Sequence, residues 1–359
     1  MAKKTLNKLR EEIDKLDQEI QSLIGDRATL AAEVAEVKKA SEGRGAFYRP
    51  EREAKILREI IKRNDNPLKG KDVAHIFREI MSACLALEQP LSIAYLGPEG
   101  TFTQEAALKH FGHAVSTLDC GSIDEIFSQV EKGNADYGVV PIENSSNGVI
   151  GGTVDMLYSQ RLKICGEVEI SIKHQLMMAD QSQEIKTIYA HQQALDQCQR
   201  WLSNHYPNVL LKAVASNALA ARIVMDEKNA AAIASEAALS LYDLERVAKN
   251  IEDKTGNVTR FLVLAKDDAP ESGNDKTSLL VVTKHESGAL VDVLEPFKRH
   301  EVNMLQLARH PIPGVKWEYL FLIDIDGHKN ENKVKEALAE VSERVIKVHI
   351  LGSYPVAVL

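Results

Sequence analysis

The sequence predicts a multidomain chain in which an all-α region, an α/β region and an α+β region follow one another. Residues 1–90 carry apolar residues at the three- and four-residue spacing of packed helices. Residues 91–268 alternate short β-rich runs with helical runs, the order of a sheet covered by helices. Residues 276–359 follow the order strand, helix, strand, strand, helix, strand, which is that of a ferredoxin-like α+β unit.

Length, composition and charge limit the classes of protein that this chain can belong to. Its 359 residues, 44% hydrophobic and 27% charged, are typical of several soluble domains. No run approaches the roughly 20 apolar residues of a membrane span, and the first ten residues lack a signal-peptide core. The net charge of −8 argues against nucleic acid as the main partner. The four cysteines are far apart, so we expect a cytoplasmic protein without a metal or a cofactor.

The first predicted helix carries one residue that does not fit its apolar pattern. Arg27 occupies a position of the stripe that runs through Leu6, Leu9, Ile13, Leu16, Ile20, Leu23, Leu30, Val34 and Val37. An unpaired guanidinium is very costly to bury, so Arg27 is either paired internally or binds an anion. Lys38 lies about 20° around the helix and roughly 16 Å along it, which leaves room for a small dianion between them. The alternative is a surface ion-pair helix with a slipped repeat.

Two further helices complete the predicted helical region. Glycines within residues 41–45 end the first helix, Pro50 begins the second, and residues 64–67 end it. The third helix places Cys84 and Glu88 one turn apart on one face, where Glu88 faces the anion as a hydrogen-bond donor. Residues 48–53 add Arg49, Arg52 and Glu53. Arg10 lies about 25 Å from Arg27 on the same helix, so it reaches this site only from another chain.

The α/β region is predicted to place two polar loops at one edge of its sheet. Strands are expected over 92–96 and 137–141, and helices over 103–111, 123–132, 194–205, 218–225 and 235–242. Loops 97–101 and 143–148 follow the two strands, where open α/β sheets bind ligands. The densest polar cluster, residues 250–261, precedes the apolar run 262–265. Thr259 lies just before that run, and a threonine at the start of a strand, taken alone, is expected to have a structural role.

The α+β region follows a polar, turn-rich linker over residues 267–275. Strands are expected over 277–284, 303–308, 317–325 and 345–352, and helices over 288–300 and 333–344.

Residues 5–89 resemble the all-helical chorismate mutases. The resemblance rests on Arg10, Arg27, Lys38 and the pair Arg52 and Glu53. It implies a three-helix fold in an intertwined dimer and a rearrangement of chorismate to prephenate without a covalent intermediate. It also implies that Arg10, from the partner chain, and Arg27 hold carboxylates and that Glu53 orients a hydroxyl. By the same resemblance the catalytic pair Lys38 and Glu88 flanks the ether oxygen, and Arg49 and Arg52 belong to the substrate-binding set.

Three positions depart from the pattern of this family. Many relatives carry glutamine where Glu88 stands, some carry serine where Cys84 stands, and Arg49 occupies a place that can be aspartate. Because a glutamate donates a hydrogen bond only when protonated, we expect mutase activity to fall as pH rises. Glu88→Gln should flatten that profile.

Residues 92–268 resemble the prephenate dehydratases. The matching motifs are residues 95–102 (YLGPEGTF), 140–145 (VPIENS), 191–195 (HQQAL) and 257–261 (NVTRF). The resemblance implies two α/β lobes like those of a periplasmic binding protein, with prephenate in the cleft between them. It assigns Thr259 to the departing hydroxyl and makes Arg260 a candidate for a substrate carboxylate. Other expected cleft residues are Thr101, Glu143, Asn144, Ser145, Ser216, Asn217 and Asn257.

The third region resembles the amino-acid-binding ACT domain. The first signature of its pocket matches Gly288, Ala289, Leu290 and Val291, whereas the second, Glu-Ser-Arg-Pro, corresponds to residues 308–311 (ARHP). The resemblance implies phenylalanine as an effector, with a pocket altered by the lost glutamate.

Together these resemblances predict a bifunctional chorismate mutase–prephenate dehydratase that forms a homodimer or a dimer of dimers. The alternative is a ligand sensor without turnover, built from a helical dimeriser, a receptor and an ACT module. Such a sensor would need an output element, and no helix-turn-helix or basic patch is evident.

Overall fold

The computed structural model describes residues 5–41, 48–312 and 319–359. Three helices come first: α1 (Leu6–Ser41), α2 (Pro50–Arg63) and α3 (Gly70–Glu88). Pro50 stands at the start of α2, where its missing N–H costs no hydrogen bond. Residues 42–47, which hold most of the predicted helix break, lie outside the described residues. The three predicted helices are therefore present.

Most of the apolar stripe of α1 is left exposed, although α1 contacts α3. The small core of the helical region is formed by Leu57, Ile60, Ala74 and Met81 of α2 and α3. The stripe stays exposed along the helix, with Leu23 67% exposed. Apolar surface of this extent on one helix is typical of an interface with another chain.

The first α/β lobe is a sheet in the order β2-β1-β3-β11-β5, with β4 beside β3. Its strands are β1 (Ser92–Leu96), β2 (Ser116–Cys120), β3 (Tyr137–Asn144), β4 (Gly148–Val149), β5 (Lys163–Ser171) and β11 (Val258–Ala265). Its helices are α4 (Phe102–Phe111), α5 (Ile123–Lys132) and α6 (Gly151–Ser159). As predicted, β1 runs parallel to its neighbours, whereas β11 is antiparallel to β3 and β5.

The second lobe is a sheet in the order β10-β6-β9-β7-β8. Its strands are β6 (Gln175–Met178), β7 (Thr187–His191), β8 (Leu210–Val214), β9 (Ala230–Ala234) and β10 (Glu245–Ala248). Its helices are α7 (Gln192–Gln197), α8 (Gln199–His205), α9 (Asn217–Val224) and α10 (Glu236–Leu241). The chain crosses between the lobes twice, after β5 and before β11, which leaves a cleft between the two sheets.

The single helix predicted over residues 194–205 is wrong, because the structure divides it at Cys198. The carboxylate of Asp253 accepts hydrogen bonds from the backbone N–H groups of Arg200 (2.8 Å) and Trp201 (2.9 Å). These are first-turn donors of α8, which have no partner inside the helix. A distant acidic side chain therefore caps a new helix start that the local pattern does not reveal.

The third region contains β12 (Asp275–Val282), α11 (Ala289–Arg299), β13 (Met304–Pro311), β14 (Tyr319–Asp326), α12 (Asn332–Arg344) and β15 (Lys347–Pro355). Its antiparallel sheet has the order β13-β14-β12-β15, as in a ferredoxin-like unit. The strand predicted over residues 317–325 was expected to begin within residues 313–318, which lie outside the described residues.

This third sheet packs directly on the first lobe. Leu262 and Leu264 of β11 share one buried cluster with Leu280, Leu322 and Leu351 of the third sheet. The backbones also meet, because a Cβ added at Gly352 would lie 2.1 Å from the carbonyl oxygen of Ile164. Only glycine fits at that position. Within the described ranges, no helix has the length and apolarity needed to cross a bilayer.

Candidate active sites

The first candidate site, called the helical cavity, lies between α1, α2 and α3 and has a volume of about 720 Å³. The residues that line it include Arg27, Leu30, Val34, Lys38, Tyr48, Arg49, Glu51, Arg52, Glu53, Lys55, Met81, Cys84 and Glu88. Five of its described side chains are cationic and three are carboxylates. An excess of positive charge in a partly enclosed site favours a ligand with two negative charges.

The structure brings six of the seven predicted mutase-site residues together in this cavity. The Nζ atom of Lys38 and the Oε2 atom of Glu88 are 3.8 Å apart, so the two predicted catalytic groups face one another. Arg10 is not among the described lining residues. It lies on the exposed part of α1, in agreement with the expectation that it does not reach the site of its own chain.

Two residues of this site were missed in the sequence: Glu51, which lines the cavity, and Arg78, which lies beside it. Glu51 is buried, and its Oε1 atom accepts a hydrogen bond from Nε of Arg49 at 2.7 Å. Arg78 of α3 is 8% exposed, and its Nε atom lies 2.9 Å from Oε1 of Glu53. Burial raises the pKa of Glu53, and the nearby positive charge of Arg78 opposes that rise.

The second candidate site, called the interlobe cleft, has a volume of about 710 Å³. It lies between the two α/β lobes. Predicted residues that line it are Thr101, Asn144, Ser216, Asn217, Asn257 and Thr259. The loop prediction thus located part of the site, although Asn144 belongs to the end of β3 and not to a loop.

Thr259 sits in a network of amide and hydroxyl groups. The Nδ2 atom of Asn144 donates to the hydroxyl oxygen of Thr259 at 2.8 Å and to Oδ1 of Asn257 at 2.9 Å. Asn144 and Thr259 are both buried. Because the oxygen of Thr259 accepts the bond from Asn144, its hydroxyl proton is available to a group in the cleft. This arrangement provides an oriented, neutral hydrogen-bond donor.

Three predicted cleft residues are not among those that line the cleft. Ser145 directly follows β3 and connects it to β11, because its hydroxyl oxygen accepts a hydrogen bond from the backbone N–H of Val258 at 3.0 Å. Glu143 accepts a hydrogen bond from Nε2 of Gln306 at 2.9 Å, on the side of the third region. Arg260 is the third predicted residue that does not line the cleft.

Arg260 lies at the interface with the third sheet, which corrects its expected place beside a substrate carboxylate. Its Nη1 atom is 2.6 Å from Oδ2 of Asp324 and 3.4 Å from Oε2 of Glu167. Burial disfavours its charge, but these carboxylates outweigh burial and raise the pKa of Arg260. Successive residues of a strand face opposite sides, so Thr259 in the cleft directs Arg260 away from it.

Other groups of the cleft could hold an anion. Thr101 and Ser216 cap the N-termini of α4 and α9, so both helices begin at the cleft with their positive dipole ends. Among the described lining residues, Arg222 is the single arginine or lysine. His174 also lines the cleft, and burial lowers its pKa, which favours a neutral ring. No local motif marks Arg222 or His174.

The predicted effector residues lie at the start of α11. Gly288 has a φ of 91°, a left-handed conformation that favours glycine, and it precedes the first residue of the helix. Val291 is exposed. In the other signature, Nε2 of His310 lies 2.8 Å from Oδ1 of Asp155. That segment therefore contacts α6 of the first lobe.

Comparison with known proteins agrees with this geometry. The chorismate mutase type II family matches residues 9–89, and the prephenate dehydratase family matches residues 93–269. A bifunctional chorismate mutase/prephenate dehydratase of Pseudomonas aeruginosa is 46% identical over 359 residues, which covers 99% of this chain and 98% of that protein. The chain belongs to the bifunctional chorismate mutase/prephenate dehydratase family. The predicted alternative of a sensor without turnover is not supported, because both matched families are enzymes.

Solved structures resemble about three quarters of this bifunctional enzyme. The prephenate dehydratase of Arthrobacter aurescens in complex with L-Phe has a TM-score of 0.68 and 30% identity, covering 74% of this chain and 90% of that one. A quorum-quenching acylase has a TM-score of 0.68 and 27% identity, covering 74% and 98%. Because the same fold carries different activities, the family assignment depends on the full-length relative and the matched families.

Proposed function

We propose that this chain rearranges chorismate to prephenate in the helical cavity and converts prephenate to phenylpyruvate in the interlobe cleft. The observation that supports this most strongly is the hydrogen bond from Asn144 to Thr259, which orients a hydroxyl donor in the cleft. The convergence of Arg27, Lys38, Arg52, Glu53 and Glu88 on one cavity supports the first step. We propose domains over residues 1–90, 91–268 and 276–359.

In the helical cavity, we propose that catalysis consists of holding and electrostatic stabilisation. A concerted rearrangement forms and breaks its bonds within one molecule, so the protein has to hold the diacid in its folded conformer. Negative charge develops on the ether oxygen as its bond to carbon breaks. We propose that Lys38 and the protonated form of Glu88, whose side chains lie 3.8 Å apart, donate hydrogen bonds to that oxygen.

We propose that the helical cavity is completed by a second copy of the chain. The exposed stripe of α1 supplies a long apolar surface for such a partner. Arg10 lies on the same helix, so an antiparallel or crossed α1 from the partner would bring its Arg10 to the site. A homodimer, or a dimer of dimers, accounts for both observations.

In the interlobe cleft, we propose a decarboxylation that expels the ring hydroxyl. The bond between the ring and its carboxylate carbon breaks, carbon dioxide leaves, and the electron pair of the broken bond moves into the ring. The carbon–oxygen bond on the opposite side of the ring then breaks, and hydroxide leaves. A hydrogen bond from Thr259 stabilises the departing oxygen, while Arg222 and the N-termini of α4 and α9 offer positive charge to the substrate carboxylates.

We propose that the third domain is an ACT domain that binds phenylalanine near Gly288–Val291. Its ferredoxin-like strand order supports this assignment, as does the L-Phe complex of the related dehydratase. We also propose a cytoplasmic location, since the four cysteines are free thiols.

The proposed function is tested by turnover of the purified chain with chorismate and, separately, with prephenate. We expect phenylpyruvate to form from both substrates, which requires two working sites. Formation from prephenate alone would contradict the proposed role of the helical cavity. Absence of turnover with either substrate would contradict the whole proposal.

A further inference from the structure

Arg78 connects the helical domain to the first α/β lobe through buried contacts. Its Nη1 atom donates hydrogen bonds to the carbonyl oxygens of Lys109 (2.8 Å) and His110 (2.5 Å). These carbonyls belong to the last turn of α4, where they lack partners inside the helix and carry its negative dipole end. A guanidinium placed there caps the helix. The same guanidinium contacts Glu53, so Arg78 spans two domains.

The opposite end of α4 lies at the interlobe cleft. Thr101, Phe102 and Thr103, at the start of the helix, line that cleft. The helix has ten residues and is therefore about 15 Å long. The helix α4 therefore has the Arg78 contact at its C-terminal end and the interlobe cleft at its N-terminal end.

A second contact, made by Tyr48, also joins the helical domain to α4. The hydroxyl of Tyr48, which lines the helical cavity, lies 3.1 Å from Nε2 of His110. The ring of Tyr48 also packs edge-on against Tyr137, with ring centroids 5.4 Å apart. Burial lowers the pKa of His110 to about 3, so its ring is neutral and adds no charge beside Arg78. The C-terminal end of α4 is therefore held by the guanidinium of Arg78 and by the side chain of Tyr48.

We propose that Arg78 is a positioning residue for the mutase reaction, and that α4 of the dehydratase domain holds it in place against Glu53. The proposal rests on the proposed mutase function of the helical cavity. Glu53 lines that cavity, and the family resemblance makes it an acceptor for a substrate hydroxyl. A carboxylate accepts such a bond best when ionised, which the charge of Arg78 favours.

The pH dependence of mutase turnover separates this role from a purely structural one. Removing the charge of Arg78 leaves burial unopposed and raises the pKa of Glu53 further. The acid limb of the mutase profile, where Glu53 becomes protonated, should then move to higher pH. The other titratable or charged groups in the two cavities that Glu53 lines are Arg27 and Lys38 of α1, Tyr48, Arg49, Glu51, Arg52 and Lys55 near it in sequence, Cys84 and Glu88 of α3, Lys109 and His110 of α4, Cys165 and Glu167 of β5, and the terminal residue Leu359. They are unchanged in the variants below.

The experiment compares Arg78→Met, Arg78→Lys and Arg58→Met in the full chain. Arg58 is the matched control, because it also joins two regions, donating to the carbonyls of Ser272 (3.2 Å) and Asn274 (2.8 Å), but does not line the helical cavity. The kcat/KM for chorismate is measured across the pH range, and turnover of prephenate reports whether each chain has folded.

For Arg78→Met we expect the acid limb to move up by about one pH unit, which is a tenfold loss on that limb. Prephenate turnover should be retained. Arg78→Lys should keep the acid limb at the wild-type pH, because it keeps a cation beside Glu53, while its kcat/KM falls at every pH through a higher KM for chorismate, since lysine cannot also cap α4. Arg58→Met should change neither quantity.

Two results would overturn the proposal. One is a wild-type pH profile in Arg78→Met. The other is an equal loss of both activities at every pH in Arg78→Met and Arg78→Lys, which would make Arg78 a structural residue. If the unaltered chain did not turn over chorismate, the proposed mutase function would fail first and this proposal with it.

Discussion

The helical cavity and the interlobe cleft, although similar in volume, use opposite chemistry. Half of the described residues that line the cavity are charged, including Arg27, Lys38 and Arg52. Among the polar side chains that line the described cleft, most are neutral hydrogen-bonding groups such as Thr259 and Asn144. A concerted rearrangement of a dianion depends on charge to hold and polarise it. An elimination assisted by loss of carbon dioxide depends more on an oriented donor at the leaving group.

The charged residue that follows Thr259 in sequence lies on the opposite side of the sheet from the cleft. Arg260, adjacent to Thr259, is paired with Asp324 and Glu167 on the back of the sheet. The buried charges of this region therefore hold two domains together and do not face the cleft. In the helical cavity, by contrast, the charged groups face the ligand space. Four predictions test this contrast, from the largest expected effect to the smallest.

Thr259→Ala should abolish dehydratase turnover while mutase turnover remains. Loss of a positioned donor to a leaving group costs about 10²–10⁴-fold in rate. The measurement is phenylpyruvate formation from prephenate beside chorismate consumption by the same sample. Thr259→Ser, which keeps the hydroxyl, should retain part of the activity. Equal loss of both activities would instead indicate a folding defect.

Arg260→Met should destabilise the chain by about 3–5 kcal/mol, because it leaves the buried carboxylate of Asp324 without its cation, whereas Glu167 keeps its ion pair with Lys276 at 2.8 Å. Thermal or denaturant unfolding of the variant measures this loss. Adding Asp324→Asn should recover part of it. If Arg260→Met were as stable as the wild type and only raised the KM for prephenate, Arg260 would be a substrate contact after all.

Arg222→Gln should raise the KM for prephenate about three- to tenfold with kcat little changed. An exposed arginine contributes less to binding than a buried one, which limits the effect. Steady-state kinetics on prephenate separates the two constants. Lys212→Gln, on the neighbouring strand β8, is the matched control because Lys212 does not line the cleft. An unchanged KM in Arg222→Gln would leave the helix N-termini as the anion-binding groups.

Glu88→Gln should flatten the fall of mutase activity with rising pH and change the maximum only a few-fold. Ionised Glu88 cannot donate to an ether oxygen, whereas glutamine donates at every pH. The check is kcat for chorismate between acid and alkaline pH for both chains. A wild-type profile already flat across neutral pH would contradict the role given to Glu88.

Much of the fold follows from local signals. Pro50 begins α2, and the side chains of Thr101 and Ser122 accept first-turn hydrogen bonds of α4 and α5. Such signals act within one turn of the chain, so the pattern alone locates them. The division of α7 from α8 depends on Asp253, more than fifty residues away, and no local pattern contains it.

The candidate sites divide in the same way. The spacing of Arg27 and Lys38 on one helix predicts a shared cavity, because a helix repeats every 3.6 residues. The alternation of a strand separates Thr259 from Arg260, but only the packing of the third sheet decides which side is the cleft. Arg78 and Arg222 carry no motif, since their roles arise from elements that meet only after folding.

The sequence by itself determined the three regions, most of the helices and strands, and the chemical character of both sites. These properties depend on periodicity, caps and residue type, which act over short distances along the chain. Only the tertiary structure decided that Arg260 pairs with Asp324, that Arg78 joins Glu53 to α4, and that the stripe of α1 stays exposed. Those outcomes depend on how buried charge and apolar surface are shared between elements far apart in sequence.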